Sequence, residues 1–209
     1  EGSDKGLTVS ELLRKYGAAL VGKMAAGEEL TRFPLLVKLI DSNSDLSVQV
    51  HPDDATAINH GYENGKSEMW YIIDAAPGAK IANGFSRPVA PEEYDRLIKT
   101  GKIEDVLNYT DVSRGDIYYI PAGRVHSICA GCLLVEVQQT SGVTYRIYDY
   151  NRKDREGQYR KLHTKEARES IRFDDQNGKS LGYAGRVNVP ANVIQSDHFT
   201  ANILDVDQE

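Results

Sequence analysis

The stretch from Asp45 to Asp54 places three candidate ligand side chains in a row on one face of a predicted β-strand. Successive side chains of a strand point to opposite faces, so residues two apart project side by side. A purely structural strand has little use for a hydroxyl, an amide and an imidazole in such a row. Nitrogen and oxygen donors inside a β-barrel are what a metal site requires. The alternation sets apolar Leu46, Val48 and Val50 against polar Ser47, Gln49 and His51.

A second motif, Gly115-x5-Pro121-x-Gly123-x2-His126, predicts a tight turn between two antiparallel strands. His126 follows the turn at a fixed distance and is expected to face the barrel interior. A lone histidine is usually a satisfied polar residue, so this position alone carries little weight. The whole motif resembles the second signature of the cupins, which are double-sheet jelly rolls with a metal in the barrel mouth.

The first cupin signature supplies two ligands spaced by two residues and a carboxylate on the next strand. Gln49, His51 and Glu68 match that pattern. Together with His126 they offer two nitrogens and two oxygens, a donor set that suits zinc and tolerates manganese or iron. We therefore predict one zinc ion per chain, with Mn²⁺ and Fe²⁺ as alternatives.

Four blocks of sequence resemble type I mannose-6-phosphate isomerases in their short bacterial form. They follow one another between about Phe33 and His163, at positions 46–53, 65–71, 121–126 and 138–152. The resemblance implies a zinc enzyme that interconverts mannose 6-phosphate and fructose 6-phosphate. It implies zinc ligands at Gln49, His51, Glu68 and His126, and polar groups around the substrate at Ser47, Lys38, Lys66 and Arg146.

Aldose–ketose isomerisation moves a proton between two carbons through a cis-enediol, so it needs a general base and stabilisation of oxyanion charge. Glu136 is the candidate base, because its strand phase matches Gln138 and it is expected to be partly buried. Metal-bound solvent and Lys66 are alternative bases. Arg146 offers a fixed cation to the enediolate or the phosphate. Asp149 lies three residues further on and points to the opposite face, so it is a poor partner for Arg146.

The phosphate of the substrate requires cations. Lys38 is the only charged residue in the apolar strand 33–40, and Lys66 lies in a second strand. With the Ser47 hydroxyl, these two lysines form a candidate phosphate cradle. The alternative interpretation of Lys38 is a strand-edge lysine that prevents aggregation.

Many short strands separated by Gly, Pro and Asn turns predict an all-β fold, specifically a cupin-type double-sheet jelly roll (β-barrel). An N-terminal helix begins at a capping box, Thr8 to Glu11, and residues 55–65 read as a loop. The predicted domains are an N-terminal helical segment, a cupin metal-binding catalytic domain with a helical insertion at about 91–108, and an extension that resembles the opening of a second β-domain. Their ranges are 1–32, 33–163 and 164–209.

The bulk properties exclude several classes of protein. The net charge of −6 argues against nucleic acid as a partner. No apolar run approaches the ~20 residues that span a bilayer, and the N-terminus lacks a signal-peptide pattern. We therefore predict a cytoplasmic protein whose partner is a small sugar phosphate, not a membrane. The single Cys129-x2-Cys132 pair is interpreted as thiols beside a hairpin, since a structural zinc ribbon needs a second pair.

Two other functions are compatible with the motifs. A cupin could bind metal and a sugar phosphate without turnover. An iron cupin dioxygenase is less well supported, because such sites usually consist of histidines and Gln49 is a weak ligand for oxygen chemistry.

Overall fold

The computed structural model describes residues 2–22, 33–176 and 178–207. The chain divides into two compact units, Glu1–Leu36 and Val37–Glu209. Part of the predicted N-terminal segment, residues 23–32, lies outside the described residues. The candidate site residues all belong to the second unit.

The first unit contains two short helices, α1 (Val9–Tyr16) and α2 (Ala18–Val21). Thr8 caps α1: its Oγ1 accepts a hydrogen bond from the Glu11 N–H at 3.3 Å, and Glu11 Oε2 accepts from the Thr8 N–H at 2.7 Å. This reciprocal pair confirms the capping box that the sequence predicts.

The described chain is mostly β. Its strands are β1 (Leu35–Asp41), β2 (Val48–Val50), β3 (Glu68–Ala75), β4 (Lys80–Phe85), β5 (Leu107–Asp111), β6 (Ile117–Ile120), β7 (His126–Ile128), β8 (Cys132–Gln139), β9 (Tyr145–Tyr148), β10 (Ala191–Gln195) and β11 (Thr200–Ile203).

These strands form a four-stranded sheet in the order β1-β8-β3-β6, a five-stranded sheet in the order β5-β4-β7-β2-β9, and the hairpin β10-β11. The edge strands of the two larger sheets are not hydrogen-bonded to each other in the described residues. The predicted all-β character is confirmed, whereas no closed barrel is found among the described residues, whose strands lie in separate sheets.

One hydrophobic core joins the two larger sheets. It contains Trp70 and Leu134 from the four-stranded sheet and Ile81 and Ile128 from the five-stranded sheet. Leu46 packs at the edge of this core, whereas Val48 and Val50 belong to a second core. The alternation predicted for Leu46 is therefore wrong, because regular strand geometry begins only at Val48.

The second core covers the other face of the five-stranded sheet with helices. It joins Val48 and Val50 to Tyr94 and Ala167, which lie on two helices. Both faces of this sheet are thus buried, which explains why a polar row on β2 sits inside the protein. The helices of this unit are α3 (Asp54–Asn59), α4 (Pro91–Thr100), a 3-10 helix (Ile103–Val106) and α5 (Thr164–Ser170).

Helix α3 replaces the first half of the predicted loop 55–65. The side chain of Asp53 accepts a hydrogen bond from the Thr56 N–H at 2.8 Å, and Ala57 is fully buried. A capping carboxylate and one buried anchor stabilise this short helix despite its polar composition. No helix in the described ranges is long and apolar enough to cross a membrane.

Candidate functional site

Three of the four predicted metal ligands converge in the interior. His51 follows β2, Glu68 begins β3 and His126 begins β7, and all three are almost completely buried. His51 Nε2 lies 3.3 Å from Glu68 Oε1, and His126 Nε2 lies 3.5 Å from Glu68 Oε2. One ligand atom from each residue falls within 4.8 Å of the others. This His–Glu–His cluster has the donors and the spacing that a divalent cation requires.

The hydrogen bonds of the cluster fit a metal site. His126 Nδ1 donates to the Arg124 carbonyl at 2.9 Å, so Nε2 presents its lone pair toward Glu68. His51 Nδ1 and Glu68 Oε2 are buried without a hydrogen bond in the described part of the chain, whereas Glu68 Oε1 forms an ion pair with Lys66. Buried polar atoms without partners are costly, and a bound cation would satisfy the carboxylate.

Gln49 lies beside the cluster on the same sheet. It pairs with His126 across the β2–β7 ladder, and its Nε2 is 3.3 Å from His126 Nε2. Amide oxygen and nitrogen are assigned from the hydrogen-bond network. Coordination by Gln49 would therefore require the amide to turn by about 180° and present Oε1.

Burial sets the protonation of the ligands. It lowers the pKa of His51 to about 4 and also lowers the pKa of His126. Burial by itself would raise the pKa of Glu68, but neighbouring His51 and Lys66 outweigh it and hold the pKa well below its usual range. Two neutral imidazoles and a charged carboxylate at neutral pH are the states in which these groups bind metal.

Lys66 lies inside the cluster. Its Nζ is 2.5 Å from Glu68 Oε1 and 3.2 Å from His51 Nε2, and the residue is buried. The backbone contributes to this position, because the Lys66 N–H donates to the Pro52 carbonyl at 3.1 Å. The sequence left two roles open for Lys66, a general base or a phosphate contact. In the structure its ammonium lies among the predicted metal ligands.

The close approach behind Lys66 depends on Gly65. A Cβ at Gly65 would lie 2.5 Å from the Pro52 carbonyl oxygen and 2.5 Å from the Asp53 carbonyl carbon. We expect Gly65→Ala to reduce the free energy of unfolding by about 1–3 kcal/mol, because the backbone must shift to relieve the overlap. Chemical denaturation measures this loss.

Gly142→Ala is the matched control for that substitution, since a Cβ at Gly142 meets nothing within 4 Å. Its stability should stay within about 0.5 kcal/mol of the parent. An equally stable Gly65→Ala variant would contradict the requirement for glycine behind Lys66.

Lys38 and Glu136 form an ion pair next to the cluster. Lys38 Nζ lies 2.7 Å from Glu136 Oε1 and 2.5 Å from Gln138 Oε1. Trp70 Nε1 donates to the other Glu136 oxygen at 3.1 Å. In the β3–β8 ladder, Glu68 pairs with Gln138 and Trp70 pairs with Glu136. The Lys38–Glu136 ion pair therefore lies two residues along the strands from the Glu68 position. Gln138 and Trp70 were absent from the predicted site, although Gln138 shares the strand phase of Glu136.

Arg146 lies on β9 and pairs with Gln49 of β2. Its Nη1 donates to the Lys161 carbonyl at 3.0 Å, and its Nε is buried without a hydrogen bond among the described residues. Asp149 lies just beyond the end of β9 and forms ion pairs with Arg152 and Arg160. Arg146 therefore keeps one donor for an anionic ligand.

Ser47 is the predicted site residue with the weakest structural support. It is buried just before β2. Within the described ranges it forms no hydrogen bond with the cluster, so its proposed contact depends on a bound substrate.

Comparison with known proteins supports the family resemblance. Residues 3–85 match the model of the phosphomannose isomerase type I catalytic domain. Mannose-6-phosphate isomerase ManA of Bacillus subtilis is 45% identical over 171 residues, which cover 81% of this chain and 52% of that protein. The mannose-6-phosphate isomerase of Streptococcus mutans is 39% identical over 163 residues, which cover 78% of this chain and 50% of that protein.

A solved structure agrees with these matches. The crystal structure of mannose 6-phosphate isomerase from Bacillus subtilis superposes with a TM-score of 0.82 and 36% identity, covering 96% of this chain and 63% of that one. The mostly β fold agrees with that structure, and the buried His51, Glu68 and His126 form a possible metal site. The chain is similar to the type I phosphomannose isomerases. It spans about half the length of the curated relatives that it matches.

Proposed function

We propose that the chain carries the site of a metal-dependent isomerase that interconverts mannose 6-phosphate and fructose 6-phosphate through a cis-enediol. The convergence of His51, Glu68 and His126 around Lys66 is the observation that carries this proposal. The relatives named mannose-6-phosphate isomerases supply the substrate class. We also propose that the two larger sheets form a cupin jelly roll, with the catalytic domain at 33–163, flanked by segments 1–32 and 164–209. The cytoplasmic location stays a prediction.

His51, Glu68 and His126 would hold the metal ion, with Gln49 as a fourth ligand. Two imidazoles and oxygen donors suit zinc, while Mn²⁺ and Fe²⁺ are alternatives. When bound, such an ion supplies a Lewis acid that polarises a substrate oxygen. Glu68 keeps its negative charge beside Lys66, so this carboxylate is already in the protonation state that binds a cation.

Lys66 suits the reacting end of the sugar better than its phosphate. Its ammonium is buried beside Glu68 and His51, so an oxygen of the substrate that approaches the ligands meets this cation. The ammonium would donate a hydrogen bond to that oxygen as negative charge develops on it. Lys38, which is 38% exposed, is the better candidate for the phosphate contact.

Glu136 is the proposed general base. Trp70 Nε1 and Lys38 Nζ each hold one of its carboxylate oxygens, which fixes the orientation of the group. An ionised carboxylate in this position can remove a proton from one carbon and return it to the neighbouring carbon. Because Lys38 also contacts Glu136, a phosphate that attracts Lys38 would free one oxygen of the base.

The direct test of this function is metal analysis combined with a coupled assay. We expect one zinc per chain and turnover of mannose 6-phosphate to fructose 6-phosphate. If the protein binds zinc and the sugar phosphate but catalyses the isomerisation in neither direction, the proposed isomerase function is refuted. That result would support a non-catalytic metal-binding cupin.

A phosphorylated hexose should be a much better substrate than free mannose. Lys38→Met removes the proposed phosphate contact, so KM for mannose 6-phosphate should rise about tenfold, with little change in zinc content. Steady-state kinetics and metal analysis measure the two effects.

Lys99→Met is the matched control for Lys38→Met, because Lys99 lies in the last turn of α4 and is absent from the candidate site. Equal kcat/KM values for mannose and mannose 6-phosphate would contradict phosphate recognition. Loss of zinc from Lys38→Met would instead place this lysine among the groups that support the metal.

A further inference from the structure

Arg124 and Asp175 form a buried ion pair behind the candidate metal ligands. Arg124 Nε and Nη2 donate to the two Asp175 carboxylate oxygens, each at 2.8 Å, and Nη1 donates to the Tyr119 carbonyl at 2.9 Å. The two side chains are only 9% and 11% exposed. Since every nitrogen of the guanidinium has an acceptor, the pair holds the turn that leads into β7 in one arrangement.

The same residue, Arg124, accepts the hydrogen bond that orients His126. Its carbonyl lies 2.9 Å from His126 Nδ1, which leaves Nε2 directed toward Glu68 Oε2 at 3.5 Å. In a metal-binding histidine the partner of the second nitrogen determines the tautomer and the direction of the ring. The position of the Arg124 backbone therefore determines which nitrogen of His126 faces the candidate metal and how the ring is oriented.

Asp175 belongs to the segment that follows α5, residues 171–176, which we call the strap. The Arg172 N–H donates to the Gly123 carbonyl at 2.9 Å, and a Cβ at Gly123 would lie 2.5 Å from Arg172 Cγ. Just beyond the strap, the Gly178 carbonyl accepts from Asn83 Nδ2 at 3.1 Å, and Asn83 pairs with His126 in the β4–β7 ladder. This part of the chain thus contacts both the turn that leads into His126 and the residue that pairs with His126 on β4.

We propose that the strap is a positioning element for His126, in which Asp175 holds Arg124 and the Arg124 carbonyl holds the Nδ1–H tautomer of the ligand. The inference rests on His126 being a metal ligand in the proposed function. Asp175 is a positioning residue, because it acts through Arg124 and not on the substrate. An ion pair with only a structural role would change the stability of the fold, but not the tautomer or the metal affinity of the folded protein.

Asp175→Asn tests the proposal. In the metal-free protein, ¹⁵N NMR of the imidazoles should show His126 as the Nδ1–H tautomer in the parent and as a mixture of tautomers in the variant. Competition with a chromogenic chelator should show zinc binding weakened by about 10–100-fold, as for other groups that support a metal ligand. Asp175→Glu keeps a carboxylate and should recover part of both effects.

Glu93→Gln is the matched control, because Arg87 and Glu93 form an exposed pair of the same chemistry with contacts of 2.7 and 3.0 Å. It should leave both the tautomer and the zinc affinity unchanged. If Asp175→Asn does not fold, Asp175→Glu and Arg124→Lys are measured in its place.

An unchanged tautomer and a zinc affinity within about twofold of the parent, in a folded variant of the pair, would overturn the proposal. A parent protein that binds no zinc would refute the proposed metal site instead. In that case the tautomer in the metal-free protein still decides whether the strap orients His126.

Discussion

Replacement of both His51 and His126 by alanine should remove the bound zinc and lower isomerase activity by about 10³-fold or more. The two imidazoles supply the nitrogen donors of the cluster, and the remaining carboxylate of Glu68 already pairs with the Lys66 ammonium at 2.5 Å. A single carboxylate neutralised by a lysine cannot retain a divalent ion. Elemental analysis after dialysis and the coupled assay measure the two losses.

His198→Ala is the control for the double substitution, since His198 is exposed and lies near the C-terminal hairpin. It should keep zinc and activity. Full zinc occupancy in the double variant would show that the metal, if present, is held elsewhere, and would refute the ligand assignment. The circular dichroism spectrum of the double variant should match that of the parent. This comparison is needed because an unfolded variant would also lose the metal.

Substitution of Arg146 by alanine should lower kcat by about 10²-fold while zinc stays bound. Arg146 pairs with Gln49 across the sheet and so lies beside the cluster, and its buried Nε lacks a hydrogen bond among the described residues. We propose that a substrate anion is the partner of this donor. If the negative charge on the substrate is greatest in the enediolate, kcat should fall by a larger factor than the affinity for the substrate does.

The loss of kcat distinguishes an enzyme from a binding protein, in which only the affinity for the sugar phosphate would change. Arg146→Lys keeps the charge but not the planar donors, so it should recover only part of the activity. Arg96→Ala removes an arginine that is 70% exposed on α4 and serves as the control. An Arg146→Ala variant with the kcat of the parent would show that Arg146 does not act on the reacting atoms.

Local sequence patterns predicted the elements that carry the site. Period-two alternation identified the polar face of β2 that carries Gln49, and the Pro-x-Gly turn placed His126 at the start of the next strand. Capping chemistry located the N-terminal helix. These features depend on residues a few positions apart, so sequence alone can specify them. Helix α3 was missed because its stability also depends on Ala57 being buried by distant residues.

Only the tertiary structure showed which side chains contact one another. The sequence by itself determined the donor types, their strand phase and the resemblance to an isomerase family. Only the fold decided that Lys66 lies among the ligands, that Lys38 pairs with Glu136 across 98 positions of sequence, and that Asp175 holds the turn before His126. The physical reason is that such contacts depend on sheet register and packing between segments far apart in the chain, which no local pattern encodes.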